Sequence, residues 1–426
     1  MIRLYAAATI LAWPLVRLIM WQRVKQGKED GQRIGERFGR ISMPRPVGPI
    51  IWVHAASVGE TISILPLVER LLVNFQLTNV LITTGTRSSA EILEKNLSCK
   101  LFHQFIPIDR PGEINSFLEH WNPDVAIWVE SELWPNLLTA VQRRGIPTFL
   151  VQGRISEKSF RHWRIFGCLV RPLLEGFSRV LVQTPGDADR YRALGAVEPV
   201  VTGNLKYSSP PLKIDTIELA KINSRLGGRP CWLAASVHPG EFSLLCDAHV
   251  ITRRRFPNLL TIVVPRHPIA GASMERSSLD LGIAVAVRSR GEEITEETEI
   301  YIGDSLGELG IFYEICPIAF VGGSLVPHGG QNPLEAIQLS SVVLVGPHMF
   351  NFSQIVSDLA SQNALVSVRS APSLAHKISE LLESPHLLAE LRAKQKSAIS
   401  ARDNILDDVY ARIIETIPHS TRLSWG

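Results

Sequence analysis

The sequence predicts two α/β domains in tandem, each built on a doubly wound parallel sheet, and three observations lead there. From residue 50 onward, short apolar runs alternate with amphipathic helical stretches. The alternation stops once, at KYSSPPLK (206–213), whose prolines and serines mark a linker, and then begins again. The opening of the first series, IWVHAASVGE (51–60), is echoed by that of the second, CWLAASVHPGE (231–241). A chain of 426 residues is in any case too long for one ordinary core.

The N-terminus comes first. Residues 4–20, LYAAATILAWPLVRLIM, are almost wholly apolar, yet a bilayer core needs roughly 20 apolar residues, and Pro14 and Arg17 interrupt the run. A cleaved signal peptide is disfavoured, because the basic flank is only Arg3 and no A-x-A site follows. A single short anchor or a helix lying in the membrane interface fits better, against the plainer reading of a helix docked on its own domain. Arg23, Lys25, Lys28, Arg33, Arg37, Arg40 and Arg45 follow directly, outnumbering Glu29, Asp30 and Glu36. That excess predicts a body on the cytoplasmic side of a membrane, held against anionic headgroups by the same charges.

The strands follow in order: IIWVHA (50–55), NVLITT (79–84), DVAIWV (124–129), TFLVQ (148–152) and RVLVQ (179–183). After the linker come CWLAAS (231–236), LLTIVVP (259–265), IAFVGG (318–323) and VVLVG (342–346). Such continuous apolar runs suit strands buried on both faces. The last helices, 373–384 and 386–414, cap the second domain and are long enough to cross back to the first. The expected division is an anchor at 1–24, a first domain at 25–206 and a second at 213–426, with a cleft between the domains.

Composition narrows the function. A net charge of +3 is too small for bulk nucleic-acid affinity, so no nucleic-acid partner is expected. Cys99, Cys168, Cys231, Cys246 and Cys316 are scattered with no C-x-x-C pair, which speaks against a disulfide framework or a zinc site. Neither GxxxxGK[ST] nor a clean GxGxxG is present, excluding a P-loop ATPase or an ordinary dehydrogenase. There is also no Asp-x-Asp pair to carry a metal-bound sugar nucleotide, so neither metal nor cofactor is expected.

Ligands of open α/β sheets sit outside the carboxyl ends of the strands, which directs attention to the strand-end motifs. His54-Ala-Ala-Ser57-Val-Gly59-Glu60 puts a carboxylate in the first turn of a helix. Exposed there, Glu60 could take a proton from an attacking hydroxyl, or simply complement the helix N-terminus. In Trp128-Val-Glu130-Ser131-Glu132-Leu-Trp134-Pro135-Asn136, strand alternation would turn only one carboxylate to the ligand; Glu130, which ends the strand, is the choice over Glu132. The plainer reading is a surface turn before a Pro-headed helix. Gly203-Asn204-Leu205-Lys206 offers a lysine to counter charge on a departing group, or a solvated one.

In the second half, Pro265-Arg266-His267-Pro268, the turn Gly303–Gly310, Gly322-Gly323-Ser324 and His328–Glu335 all follow apolar strands or open helices. Glycine turns at helix starts provide free amides for phosphate, and Glu335 could hold ribose hydroxyls. Three such turns in one domain point to a nucleotide.

Together, HAASVGE, TTGTRSSAE (83–91), PIDRPG (107–112), ESELWPN, GNLKY, AASVHPGE, PRHP, GDSLGELG and GGSLVPHGGQNPLEA resemble the 3-deoxy-D-manno-octulosonic acid (Kdo) transferases of lipopolysaccharide assembly, over nearly the whole chain. The resemblance implies a GT-B-type inverting glycosyltransferase that moves Kdo from CMP-Kdo onto the lipid A precursor (lipid IVA) at the inner membrane. It implies Glu60 as general base, with Glu130 and Lys206 stabilising the transition state. It assigns Pro265, Arg266, Gly307, Glu308, Leu309, Asn332, Pro333, Leu334 and Glu335 to CMP. Ile62, Ile64 and Leu65 are candidates for an apolar acceptor patch, or for a core helix face. A sugar-nucleotide epimerase of the same fold, or a catalytically silent membrane-bound binding protein, are the alternatives.

Overall fold

The computed structural model describes residues 1–94, 97–400, 404–417 and 425. The chain forms two compact units, Met1–Ser209 with Asp403–Gly426, and Pro210–Arg402.

Unit one is a parallel sheet of β1 (Ile50–His54), β2 (Asn79–Thr84), β3 (Leu101–Phe105), β4 (Val125–Val129), β5 (Thr148–Gly153), β6 (Arg179–Val182) and β7 (Val200–Val201). Its strand order is β3-β2-β1-β4-β5-β6-β7, so the winding reverses between β1 and β4. β1 and β4 are buried at every position, as expected of strands covered by helices on both faces. Trp52 and Trp128 cross the β1–β4 pair with ring centroids 4.9 Å apart. The Trp52 indole N–H is satisfied by Thr83 Oγ1 at 2.8 Å, so that face is dry without an orphaned donor.

Unit two repeats the plan with β8 (Cys231–Val237), β9 (Leu260–Pro265), β10 (Val285–Val287), β11 (Ile300–Ile302), β12 (Ile318–Val321), β13 (Val342–Val345) and β14 (Val366–Ser367). The order is β10-β11-β9-β8-β12-β13-β14, again parallel, with the reversal between β8 and β12. All nine strands read from the sequence are present, and the linker coincides with the boundary between the units.

Three expectations need correction. The second domain does not run to residue 426, because the C-terminal segment packs on unit one. Ile405, Val409 and Ile413 of helix Ile405–Thr416 are buried, and Arg70 pairs with Asp407 while its guanidinium lies 4.8 Å over the Tyr410 ring. Further on, Trp425 O accepts from Leu77 N at 3.0 Å. The long helix read over 386–414 is described as Pro385–Ser400 and Ile405–Thr416, with 401–403 outside the described residues.

Second, the N-terminal run is not one anchor helix. It forms Ile2–Leu11 and Trp13–Lys25, bent by 61°, because Pro14 suits the first turn of a new helix but not the interior of an old one. Among the described residues no single helix is long and apolar enough to cross a membrane; the bent pair together meets that test by length and composition. One side of the pair docks on unit one: Asn136 Nδ2 donates to Thr9 Oγ1 at 3.1 Å, and Trp13 packs edge-on to Phe38 and under the Arg110 guanidinium. The other leaves Leu4, Leu11, Leu15, Leu18 and Trp21 at least half exposed.

Third, much of the basic segment after it points inward. Arg37 is buried, pairs with Glu29 at 3.0 Å and donates to the carbonyls of Gly85 and Ile106. Arg33 binds Glu36 and the His103 carbonyl, Arg23 binds Glu29, and Arg45 donates to Trp121 O. These cations neutralise buried carboxylates and cap strand-end carbonyls, work that leaves little of their charge for headgroups.

The returning C-terminal helix also explains Gly203. Its φ is +93°, and a Cβ there would lie 2.7 Å from Ile405 Cδ1. Gly203→Ala should therefore destabilise unit one by about 1–3 kcal/mol, read as a lower urea midpoint. An unchanged midpoint would show that the helix does not brace this turn.

Candidate functional site

Ser57 caps the helix Val58–Asn74 that follows β1, and Glu60 occupies the third position of that helix. The two form a version of the capping box. Ser57 Oγ donates to Glu60 Oε1 at 2.8 Å, and Ala56 N donates to Glu60 Oε2 at 2.8 Å. The side chain is only 7% exposed, so the expectation of an exposed carboxylate is corrected, and of the two readings weighed for it these bonds display the helix-capping one. Each oxygen accepts one bond and keeps a lone pair for a proton. Burial, and next the charge of Glu130, push the Glu60 carboxyl up to about 7; the bonds from Ser57 and Ala56 oppose this, and Glu132 adds to it. A carboxylate so tuned is half-protonated near neutrality, where a general base works best.

His54, in the same motif, is part of the core. It is fully buried, its Nδ1 lies 3.0 Å from Thr83 Oγ1, and burial holds its pKa down to about 4. Ile64 is core, whereas Ile62 is exposed at 40%.

Glu130 directly ends β4, at the reversal of strand order beside β1. Its amide still donates to Val151 O at 2.9 Å, but its φ is +60°, a left-handed conformation that non-glycine residues adopt at some cost. The twist breaks strand alternation, so Glu130 and Glu132 both bear electrostatically on Glu60, Glu130 the more strongly. Burial raises the Glu132 carboxyl as well. The plainer reading of this segment is also realised: Pro135 heads the helix Pro135–Arg143, and Asp109 of PIDRPG caps it through Asn136 N and Leu137 N.

Lys206 sits in the turn Leu205–Ser208, capped by Asn204, whose side chain accepts from Lys206 N at 3.0 Å. Burial lowers the Lys206 pKa, the charges of Glu130 and Glu60 work to raise it, and Arg154 opposes them. Unit one thus gathers Glu60, Glu130, Glu132, Lys206 and Arg154. Sequence reading missed Arg154, though it follows β5 just as Glu130 follows β4, and the same strand-end rule would have found it.

In unit two the strand-end residues divide. The Gly322-Gly323-Ser324 turn was expected to offer free amides. Instead Glu241, fully buried and the counterpart of Glu60 in the repeated motif, accepts from Gly323 N, Ser324 N and Leu325 N at 2.5, 3.0 and 2.9 Å. The protein's own carboxylate fills that amide nest. Glu308 is likewise committed, since Arg288 grips it through Nε at 3.1 Å and Nη2 at 2.6 Å; Gly307 and Leu309 flank it at the head of the helix Leu309–Ile315.

Pro265 ends β9, and Arg266 beyond it is exposed and makes no ion pair among the described residues. Asn332 ties down the next turn, donating to Glu335 Oε1 at 3.2 Å and accepting from Leu334 N at 3.1 Å, with Pro333 between them. Burial raises the Glu335 carboxyl, opposed by Asn332 and by the charge of Arg266. Arg266 and the Asn332–Glu335 turn therefore share one electrostatic neighbourhood.

The family profile described as 3-deoxy-D-manno-octulosonic-acid transferase (kdotransferase) matches residues 32–209. The 3-deoxy-D-manno-octulosonic acid transferase of Rickettsia bellii (strain RML369-C) is 31% identical over 416 residues, 97% of this chain and 99% of that one. The chain belongs to the Kdo transferase family. It is accordingly a glycosyltransferase. The Haemophilus influenzae relative of the same name is 33% identical, covering 89% of this chain and 90% of its own length. The crystal structure of UDP-GlcNAc 2-epimerase from Neisseria meningitidis bound to UDP-GlcNAc matches with a TM-score of 0.57 at 12% identity, over 87% of this chain and 99% of that one. This likeness speaks for the fold, two parallel-sheet α/β domains of GT-B type, and for nothing further.

Two substitutions should move the transferase's Glu60 in opposite directions. Glu130→Gln removes a repelling charge and should lower the Glu60 pKa, whereas Ser57→Ala removes a bond to the carboxylate and should raise it, each by about one pH unit. A carboxyl-carbon NMR titration reads both, and shifts of the same sign would refute the assignment of causes. Glu241→Ala should leave three buried amides unpaired and destabilise unit two by about 3 kcal/mol, measured by denaturant unfolding.

Proposed function

We propose that this enzyme transfers Kdo from CMP-Kdo to a hydroxyl of the lipid A precursor, lipid IVA, in lipopolysaccharide core biosynthesis, with inversion and without a metal. The observation that carries this reading is Glu60, a buried carboxylate tuned to about 7 beside Glu130 and Lys206. Direct displacement at the anomeric carbon, C2 of Kdo, needs one base. The acceptor O–H proton passes to Glu60, the acceptor oxygen bonds to C2, and the C2–O bond to phosphate breaks, with its electron pair leaving on CMP.

Two features equip the rest of the site. Lys206, with Arg154 close in its electrostatic surroundings, supplies positive charge against the negative charge that builds up as the phosphate leaves. Glu130 works against the burial that lowers the Lys206 pKa, and raises Glu60 by the same charge. In unit two, the unpaired Arg266 guanidinium and the turn Asn332–Glu335 suit a nucleotide phosphate and its ribose.

The exposed Leu4, Leu11, Leu15, Leu18 and Trp21 of the bent helix pair support association with the cytoplasmic face of the inner membrane, where a lipid acceptor resides. The epimerase reading has only a likeness of fold behind it, whereas the transferase reading has relatives at 31% and 33% identity along most of the chain.

Purified enzyme given CMP-Kdo and lipid IVA should yield a Kdo-extended lipid by mass spectrometry, at the same rate in EDTA. Glu60→Gln should lower turnover by roughly 10²–10⁴-fold while CMP affinity holds. Because the base acts deprotonated, kcat/KM should climb about tenfold per pH unit below 7 and level off above it. Full turnover by Glu60→Gln would end the base assignment.

A further inference from the structure

The second unit contains a cluster that none of the assigned roles uses. His238 immediately follows β8 and His328 lies in the loop after β12, the two strands between which the winding reverses. Their imidazoles stack nearly parallel, with centroids 4.2 Å apart and planes at 16°. Gly323 lies against the His238 ring and the His328 side-chain stem: a Cβ there would be 3.1 Å from His238 Cδ2 and 3.5 Å from His328 Cβ, and φ is +69°. The stack is thus packed into the reversal point, where open α/β sheets bind their ligands.

Its exposed flank carries basic side chains. Arg266 and His267 follow the neighbouring strand β9, both exposed, and Arg266 N is pinned to Val237 O at 2.9 Å. The nearest carboxylate is Glu241, which accepts from His238 N at 3.2 Å and is otherwise spent on the amides of Gly323, Ser324 and Leu325. Glu335 lies within the field of Arg266. Gln331 Nε2 stands 3.3 Å from His238 Nε2, and an amide there serves either protonation state: its N–H₂ donates to a neutral ring, and turned over, its oxygen accepts from a protonated one.

We propose that the His238–His328 stack contacts the phosphate of the nucleotide donor, and that His238 takes up a proton as that phosphate binds. This rests on the reading that a CMP-linked sugar is the donor. The logic follows from what Glu241 does. With the Gly323–Leu325 amides already filled, a phosphate at this edge has to be met by side chains, and the stack offers two imidazoles beside an unpaired guanidinium. Burial holds the His238 pKa down, and the charges of His328, Arg266 and His267 press the same way against Glu241. A phosphate arriving beside Arg266 offsets that positive charge and favours the imidazolium.

Calorimetric titration of the full chain with CMP at pH 7.5, in HEPES and in Tris, reads the proton directly from the difference in apparent heats. At that pH the CMP phosphate, whose second pKa is about 6, is already a dianion, and any proton it lost on binding would count with the opposite sign. Uptake of a substantial fraction of a proton per CMP is expected. His238→Gln and His328→Gln should each abolish the uptake and weaken CMP roughly tenfold, while cytidine, which lacks the phosphate, binds them as it binds the wild type. Wild-type enzyme that binds CMP without taking up a proton overturns the inference and leaves the donor assignment standing, as do variants with undiminished CMP affinity. Wild-type enzyme that fails to bind CMP at all removes the donor assignment and this inference with it. The wild-type measurement decides the matter even where a variant fails to fold.

Discussion

A parallel sheet covered by helices on both faces leaves only the carboxyl ends of its strands open to ligands, and every functional group of this enzyme is arranged by that constraint. The first helix after each central strand begins at this edge with an unsatisfied N-terminus, and both units answer with a glutamate in the same sequence context. In unit two, Glu241 goes further and takes three amides of the adjacent strand-end turn, so its charge is fully absorbed by structure. In unit one, Glu60 takes a single amide and a single hydroxyl. The repeated motif has therefore diverged into a structural carboxylate and a chemically available one, and the difference lies in how many donors reach it.

Availability alone would leave Glu60 an ordinary carboxylate. Its elevation to about 7 arises first from burial and then from Glu130, whose left-handed backbone keeps a second carboxylate at the edge. Lys206 gains from the same charge, because burial would otherwise favour its neutral amine. One acidic side chain thus acts on a second carboxyl group and on a lysine together. Removing it would ease the protonation of neither in isolation, and coupling of this kind is why such clusters are poorly described residue by residue.

The strands were legible because burial on both faces forces continuous apolar runs, and IIWVH or VAIWV admits no other reading. β10 and β11, with three residues each, and β7 and β14, with two, are too short for a periodic signal. β3 escaped because LFHQF carries polar residues whose partners are distant: His103 bonds to Arg33 and Thr84, and Gln104 to Trp121. At the site, Glu60, Glu130 and Lys206 were found as strand-end and turn residues. What sequence could not reveal was occupancy. Nothing local in GGSL says that Glu241, over eighty residues earlier, fills its amides, or that Arg288 holds Glu308. Free and committed groups look alike until their partners are known.

The N-terminal segment shows the same limit and then goes beyond it. Its cations read as a headgroup-binding run, yet Arg33 and Arg37 hold the segment down on β3 and the ends of β2 and β3, Arg23 pairs with Glu29 within it, and Arg45 donates to Trp121 O. The bent apolar pair that precedes them is fastened at two points, Thr9 to Asn136 and Trp13 under Arg110. Arg110 belongs to the loop after β3 and Asn136 to the segment after β4, joined to each other by Asp109, which caps the helix that Asn136 begins. Glu130 lies on that same β4 segment. The exposed leucines are therefore mounted on the loops that carry the site's central charge. The helix pair and the segment that carries Glu130 are thus linked by a few hydrogen bonds and one ring contact that lie outside the sheet's own ladder.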